Sequence, residues 1–195
     1  MEEIVVYPQE ILRKKTENIK SADRELGEDI GKLVRTLAKS ENGAGLAAPQ
    51  IGLSRRFFAQ KDVNTGIITV YINPVIERTF GEKDFIETIN KDDKGNEKKE
   101  NFLEGCLSFP QFYGTVKRYV EIDGSWDELV GEELKRKMVH FRGFEAIVFQ
   151  HELDHLDGVL FVDHVKRDGG KFYKDIGGKL SERNVDDVIG GSLSP

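Results

Sequence analysis

Gln150-His151-Glu152-Leu153-Asp154-His155 lies near the end of a run, residues 144–156, that contains neither Gly nor Pro. That composition predicts a helix from Phe144 to Leu156. A helix turns roughly 100° per residue, so side chains four apart return to nearly the same face. His151 and His155 can therefore aim two imidazoles at one metal ion. Glu152 stands one step round, within reach of a water on that ion. Two nitrogen donors and a carboxylate base are most of a hydrolase site.

A catalytic site of this kind needs a third protein ligand and keeps a fourth position open. A metzincin protease would carry a third His six residues after His155, but Phe161 stands there and cannot ligate. His164 comes three residues too late. Glu182 is the sole Glu downstream and falls in a Gly-rich tail that promises little stable helix, which disfavours a gluzincin arrangement. Upstream, the one cysteine, Cys106, sits in Glu104-Gly105-Cys106-Leu107-Ser108. It is a packed thiol, a reactive thiol or a metal ligand, since it has no partner for an internal disulfide. A thiolate with two imidazoles suits Zn²⁺ or Fe²⁺ better than Mg²⁺ or Ca²⁺. A third stretch, 43–52, is rich in Gly and Ala and contains the amide of Gln50. It lacks the spacing of a phosphate-binding loop. Its small residues would let a ligand or another backbone approach closely. Gln50 could donate to a developing oxyanion.

GAGLAAPQ (43–50), EGCLS (104–108) and QHELDH (150–155), in this order, resemble the three signature motifs of the peptide deformylases. These enzymes remove the formyl group from the N-terminal formyl-methionine of new polypeptides. The opening 4–13, IVVYPQEILR, is similar to the family's strand, Pro turn and Leu-Arg start, and the resemblance covers most of residues 1–165. It implies that Cys106, His151 and His155 are the metal ligands and Glu152 the catalytic acid/base. It further implies that Gln50 and the backbone N–H of Leu107 are the oxyanion donors and that Gly45 bonds the substrate backbone. Ala44, Phe144, Ile147 and Val148 would line the methionine pocket, with Ala44 smaller than the Ile or Val more usual there. The implied cofactor is one divalent ion, Fe²⁺ natively, with Zn²⁺, Ni²⁺ or Co²⁺ as replacements. The implied partners are formyl-methionyl nascent peptides, with transient ribosome contact. The implied fold is α+β: short antiparallel β-sheets wrapped around a central helix bearing the H-E-x-x-H motif. The family pattern also carries an Arg at position 118. That residue would pair Asp154, which needs a partner if buried. His140 and His164 read as an ordinary strand residue and a loop residue.

At 195 residues and a formal charge of −6, the chain predicts one domain, 1–165, and a tail, 166–195, that is weakly helical or flexible. The acidic balance gives no support to nucleic-acid binding. No apolar run reaches membrane-spanning length and no signal peptide is visible. With one cysteine, a reducing compartment is expected: the cytoplasm, or an organelle matrix after removal of a transit segment.

Residues 22–40 predict a helix, from Leu26, Ile30, Leu33, Val34 and Leu37 at helical spacing and acidic residues at its start. Strands are expected at 56–60 and 67–72, with Asn73-Pro74 ending the second, and at 75–80 and 85–89. The polar run 90–101 predicts a solvated hairpin tip or a mobile loop. Strands follow at 114–123 and 135–140, with a turn region at 123–128. A weak helical pattern covers 180–189.

Overall fold

The computed structural model describes residues 2–91 and 95–190. Helix α1 spans Arg24–Lys39; its N-cap Asp23 accepts the Leu26 N–H at 2.6 Å. It is followed by strands β1 (Gly45–Ala47), β2 (Phe57–Lys61), β3 (Ile68–Phe80), β4 (Asp84–Phe85), β5 (Glu87–Lys91) and β6 (Glu97–Asn101). Next come β7 (Glu104–Cys106), β8 (Phe109–Gly114), β9 (Lys117–Arg118), β10 (Glu121–Val130) and β11 (Glu133–Arg142). Helices α2 (Phe144–Leu156) and α3 (Phe161–Asp168), strands β12 (Phe172–Ile176) and β13 (Lys179–Glu182), and the short helix α4 (Asp186–Ile189) complete the chain.

One antiparallel sheet runs β1-β2-β3-β10-β11 and a second runs β13-β12-β8-β7. Two-stranded pairs β4-β9 and β5-β6 flank them. Helix α2 packs against β1, β2, β10 and β11. It buries Ala146, Ile147, Val148, Phe149, Gln150, Glu152, His155 and Leu156. A helix buried on most sides has no single apolar stripe, which is why its sequence reads as a run rather than as a pattern. Phe149 fixes its depth: its ring meets Phe58 edge-on at 5.2 Å and Tyr71 at 5.5 Å. Gln150 locks the helix to the sheet side, donating to Tyr119 C=O at 2.7 Å and accepting Tyr119 N–H at 3.1 Å. At its far end, Thr16 and Arg56 bond the Leu156 carbonyl. The expected α+β arrangement of sheets about this helix is thus present, and both long helices fall within the predicted spans.

Several strand boundaries differ from expectation. β3 runs through Asn73-Pro74 instead of ending there. It pairs with β2 up to Ile72 and with β10 from Ile72 onward, and Pro74 falls in a register shift. Its missing N–H therefore costs no ladder bond. Asn73, at φ 48°, bonds both the N–H and C=O of Ile19 through its side chain. Residues 123–128, expected as a turn, form the middle of β10. Gly124 is there for close packing: a Cβ would lie 2.9 Å from Phe141 and 3.0 Å from Phe149. The turn sits instead at Gly131, φ 65°. The spans 85–89 and 114–123 each divide between strands that have different partners. The polar run 90–101 does form a hairpin, β5 with β6, and its residues 92–94 lie outside the described residues.

The tail also differs. The weak helical pattern at 180–189 becomes β13 and the four-residue α4. Gly177 and Gly178, at φ 62° and 85°, supply a tight turn that favours a β12–β13 hairpin over helix. β12 pairs with β8, and Phe172 and Ile189, each 2% exposed, pack in one core cluster with Phe109 and Phe161. Residues 191–195 of that tail lie outside the described residues. Among the described residues no helix is long and apolar enough to cross a membrane.

Candidate active site

α2 delivers His151, Glu152 and His155 from one turn of helix, and β7 delivers Cys106 from the facing sheet. The ligand atoms of Cys106, His151 and His155 all lie within 4.8 Å of one another. Cys106 Sγ is 3.2 Å from His155 Nε2. Two ligands sharing one tetrahedral ion at sulfur and nitrogen bond lengths stand roughly 3.5 Å apart, so this spacing suits a common ion. His151 Nδ1 donates to Glu104 Oε2 at 2.9 Å, which leaves the Nε2 lone pair for a metal. His155 Nδ1 and Glu152 Oε2 are buried without a hydrogen-bond partner among the described residues.

The electrostatics favour the thiolate of Cys106, while against the effect of burial Cys106 and Glu104 push the His151 ring up in turn. Burial alone would raise the Cys106 thiol, but the His155 and His151 rings outweigh it and bring its pKa down to about 5. A thiolate is the species that binds metal. Burial raises Glu152 to about 7, against the pull of both histidines. Burial would likewise raise Glu104, yet the Arg118 charge and the His151 bond hold it at about 2. The donor set therefore fits one soft-to-borderline divalent cation.

Gln50 sits in the short helical turn 48–51 after β1 and is 2% exposed. Its Oε1 accepts the Ala47 N–H at 2.8 Å, which fixes the amide orientation. Its Nε2 is thereby turned toward Ser108 Oγ (3.2 Å) and Cys106 Sγ (3.5 Å). Leu107 occupies the turn between β7 and β8. Gly45 lies against the catalytic-base candidate: a Cβ there would be 2.4 Å from Glu152 Oε1. Any Cβ there would force that carboxylate to shift.

A cavity of about 460 Å³ opens over this group, lined by Gln50, Cys106, Leu107, His151 and Glu152. Ala44, Gly45, Phe144, Ile147 and Val148 line it too, so every residue expected to touch substrate reaches the same space. His155 lies beneath, 1% exposed.

Residues 1–170 match the family model for polypeptide deformylase. The chain belongs to the peptide deformylase family. Among curated relatives, the peptide deformylase of Desulforudis audaxviator is 37% identical over 163 residues, covering 83% of this chain and 91% of that one. The peptide deformylase of Thermotoga neapolitana is 34% identical over 166 residues, covering 85% and 88%. The crystal structure of peptide deformylase from Thermotoga maritima aligns with a TM-score of 0.65 at 34% identity, over 84% of this chain and 97% of that one. One from Legionella pneumophila aligns with a TM-score of 0.68 at 31% identity, over 84% and 85%.

Against this deformylase frame, three positions stand out that spacing alone did not mark. Glu104 clamps both His151 and Arg118, donors at 2.9, 2.8 and 3.0 Å. Phe102 follows the β5–β6 hairpin, lines the cavity and meets the Phe144 ring edge-on at 6.0 Å. His164, expected in a loop, lies on α3, is 5% exposed and bonds Asp154 at 2.7 Å. The pairing of Arg118 with Asp154 is present at 2.6 Å, and Arg118 is itself 2% exposed. His140 is a strand residue held between Asp123 and Glu121, and it is not among the residues lining the cavity.

Proposed function

We infer that this protein hydrolyses the formyl group from the N-terminal formyl-methionine of newly made polypeptides, releasing formate. The observation that carries this is the convergence of one thiolate and two imidazoles beside a buried carboxylate at the floor of a single cavity. Cys106, His151 and His155 would hold one divalent ion; Fe²⁺ is the proposed native metal, with Zn²⁺, Ni²⁺ or Co²⁺ as replacements. When bound, that ion supplies water activation near neutral pH and polarisation of the formyl carbonyl.

The residues then divide the work. Glu152 takes the proton of the attacking water and passes it to the leaving amine. In the metal-free fold burial pushes its pKa up to about 7. Gln50 Nε2, held by the Ala47 bond, donates to the oxyanion with the Leu107 N–H; losing one such donor typically costs roughly 100- to 1000-fold in rate. Gly45 lies on the edge strand β1, where backbone groups can bond an extended peptide. Ala44, Phe144, Ile147 and Val148 surround the methionine side chain, and Phe102, edge-on to Phe144, adds to that wall.

Because the substrate is a nascent chain, a transient contact with the ribosome and work in the cytoplasm belong to the same reading. The experiment is formate release from formyl-Met-Ala-Ser by anaerobically prepared, metal-loaded protein, run beside an unformylated peptide. Formate from the first and no cleavage of the second is the expected result. Internal cleavage of the unformylated peptide would indicate a protease instead.

A further inference from the structure

Behind the candidate ligands runs a chain of polar side chains that reaches α3. His151 Nδ1 donates to Glu104 Oε2 at 2.9 Å. Glu104 is gripped by Arg118 through Nε and Nη2 at 2.8 and 3.0 Å. Arg118 Nη1 donates to Asp154 Oδ2 at 2.6 Å. The same oxygen faces His164 Nε2 at 2.7 Å, and His164 Nδ1 faces Arg167 Nη2 at 2.6 Å. Arg167 is anchored in turn by both oxygens of Asp168, at 2.8 and 2.9 Å.

The outer end of this chain selects the tautomer of His164. An arginine offers only donors and keeps its proton. His164 Nδ1 must therefore be the acceptor, and the ring proton sits on Nε2, aimed at Asp154. Asp154 Oδ2 then takes one donor from each side, Arg118 and His164. With His164 removed, that carboxylate, 23% exposed, could swing toward water and loosen Arg118. Arg118 sets the angle of Glu104, and Glu104 sets the angle of the His151 ring. Groups that orient a ligating imidazole through its second nitrogen typically change metal affinity by roughly 10- to 100-fold when lost.

We propose that His164, oriented by Arg167, is a positioning residue for the metal centre: through Asp154, Arg118 and Glu104 it holds His151 at its coordinating angle. The proposal rests on reading Cys106, His151 and His155 as the ligand set. Bland packing is the alternative. It predicts lost stability on substitution with unchanged metal affinity.

The test compares wild type, His164→Leu, His164→Gln and His164→Asn. Two quantities are read: Zn²⁺ affinity by competition with a chromogenic chelator, and the melting temperature of the metal-free protein. His164→Leu should weaken Zn²⁺ binding about tenfold, the lower end expected for a remote group. His164→Gln, whose amide N–H can take the place of Nε2–H, should stay within about twofold of wild type. His164→Asn, one carbon shorter, should fall with Leu. If Leu does not fold, the Gln/Asn pair carries the test. Equal Zn²⁺ affinity across the folded variants, whatever their melting temperatures, overturns the positioning role and leaves the ligand set standing. Failure of the wild type to bind one equivalent of Zn²⁺ removes the ligand set, and the proposal with it.

Discussion

Replacing Arg118 by Met tests the ion network most severely. Met keeps most of the side-chain volume and removes the charge. Arg118 and Glu104 are 2% and 4% exposed, so the substitution strands the Glu104 carboxylate in the interior. Asp154 is more open, 23% exposed, and keeps its bond to His164, so it recovers part of its solvation. Removing one partner of a buried pair costs roughly 3–5 kcal/mol. Glu104 points the same way: against the effect of burial, the Arg118 charge and the His151 bond together bring its pKa from 4.5 down to about 2. A depression of that size corresponds to roughly 3 kcal/mol at neutral pH, shared between those two partners. A loss of this size lowers the melting temperature of a domain this long by about 10 °C. The sign follows from the depressed pKa. The stabilisation is complete above pH 4.5 and drains away as pH falls toward 2, so at pH 3 roughly 1 kcal/mol of it remains. Calorimetry of metal-free wild type and Arg118→Met at pH 7 and pH 3 reads both quantities without metal linkage. A difference under 2 °C at pH 7, or one that does not shrink at pH 3, would refute the reasoning.

Three further outcomes follow from the site. Glu152→Ala should retain one equivalent of metal and lose formate release by at least about 100-fold, the lower scale of general acid–base catalysis; substantial turnover would take the proton transfers away from Glu152. Gly45→Ala should lower kcat about 100-fold, because a Cβ 2.4 Å from Glu152 Oε1 must displace that carboxylate by an ångström or so; unchanged kcat would show that Glu152 is not confined there. Phe102→Ala should widen the pocket, raising KM for formyl-Met substrates and improving formyl-Phe relative to formyl-Met by about tenfold, on the scale of a few methylenes; an unaltered preference would place Phe102 outside the pocket wall.

What was legible in the sequence was what repeats or what carries chemistry. α1 announces itself through Leu26, Leu33 and Leu37 at helical spacing behind the Asp23 cap, and α2 through thirteen residues without a breaker. His151, Glu152 and His155 could be grouped by their helical spacing, whereas Cys106 stood as a packed thiol, a reactive thiol or a ligand until the family resemblance implied a ligand. Gly124 misled because a turn and a close approach to aromatic rings demand the same residue type, and only the positions of Phe141 and Phe149 tell them apart. Pro74 misled because whether a missing N–H matters depends on which neighbour the strand faces. The Arg118–Asp154 pair was legible only through the family resemblance, because β9 and α2 share no local period. Glu104 on β7 and His164 on α3 join that pair only once those elements are packed.

X-ray absorption at the zinc edge of the Zn²⁺-loaded protein reads the coordination shell directly. The account predicts one sulfur scatterer at about 2.3 Å and two imidazole nitrogens at about 2.0–2.1 Å, with the sulfur lost in Cys106→Ala. A shell of nitrogen and oxygen alone in the wild type, or a sulfur that survives in Cys106→Ala, would contradict it.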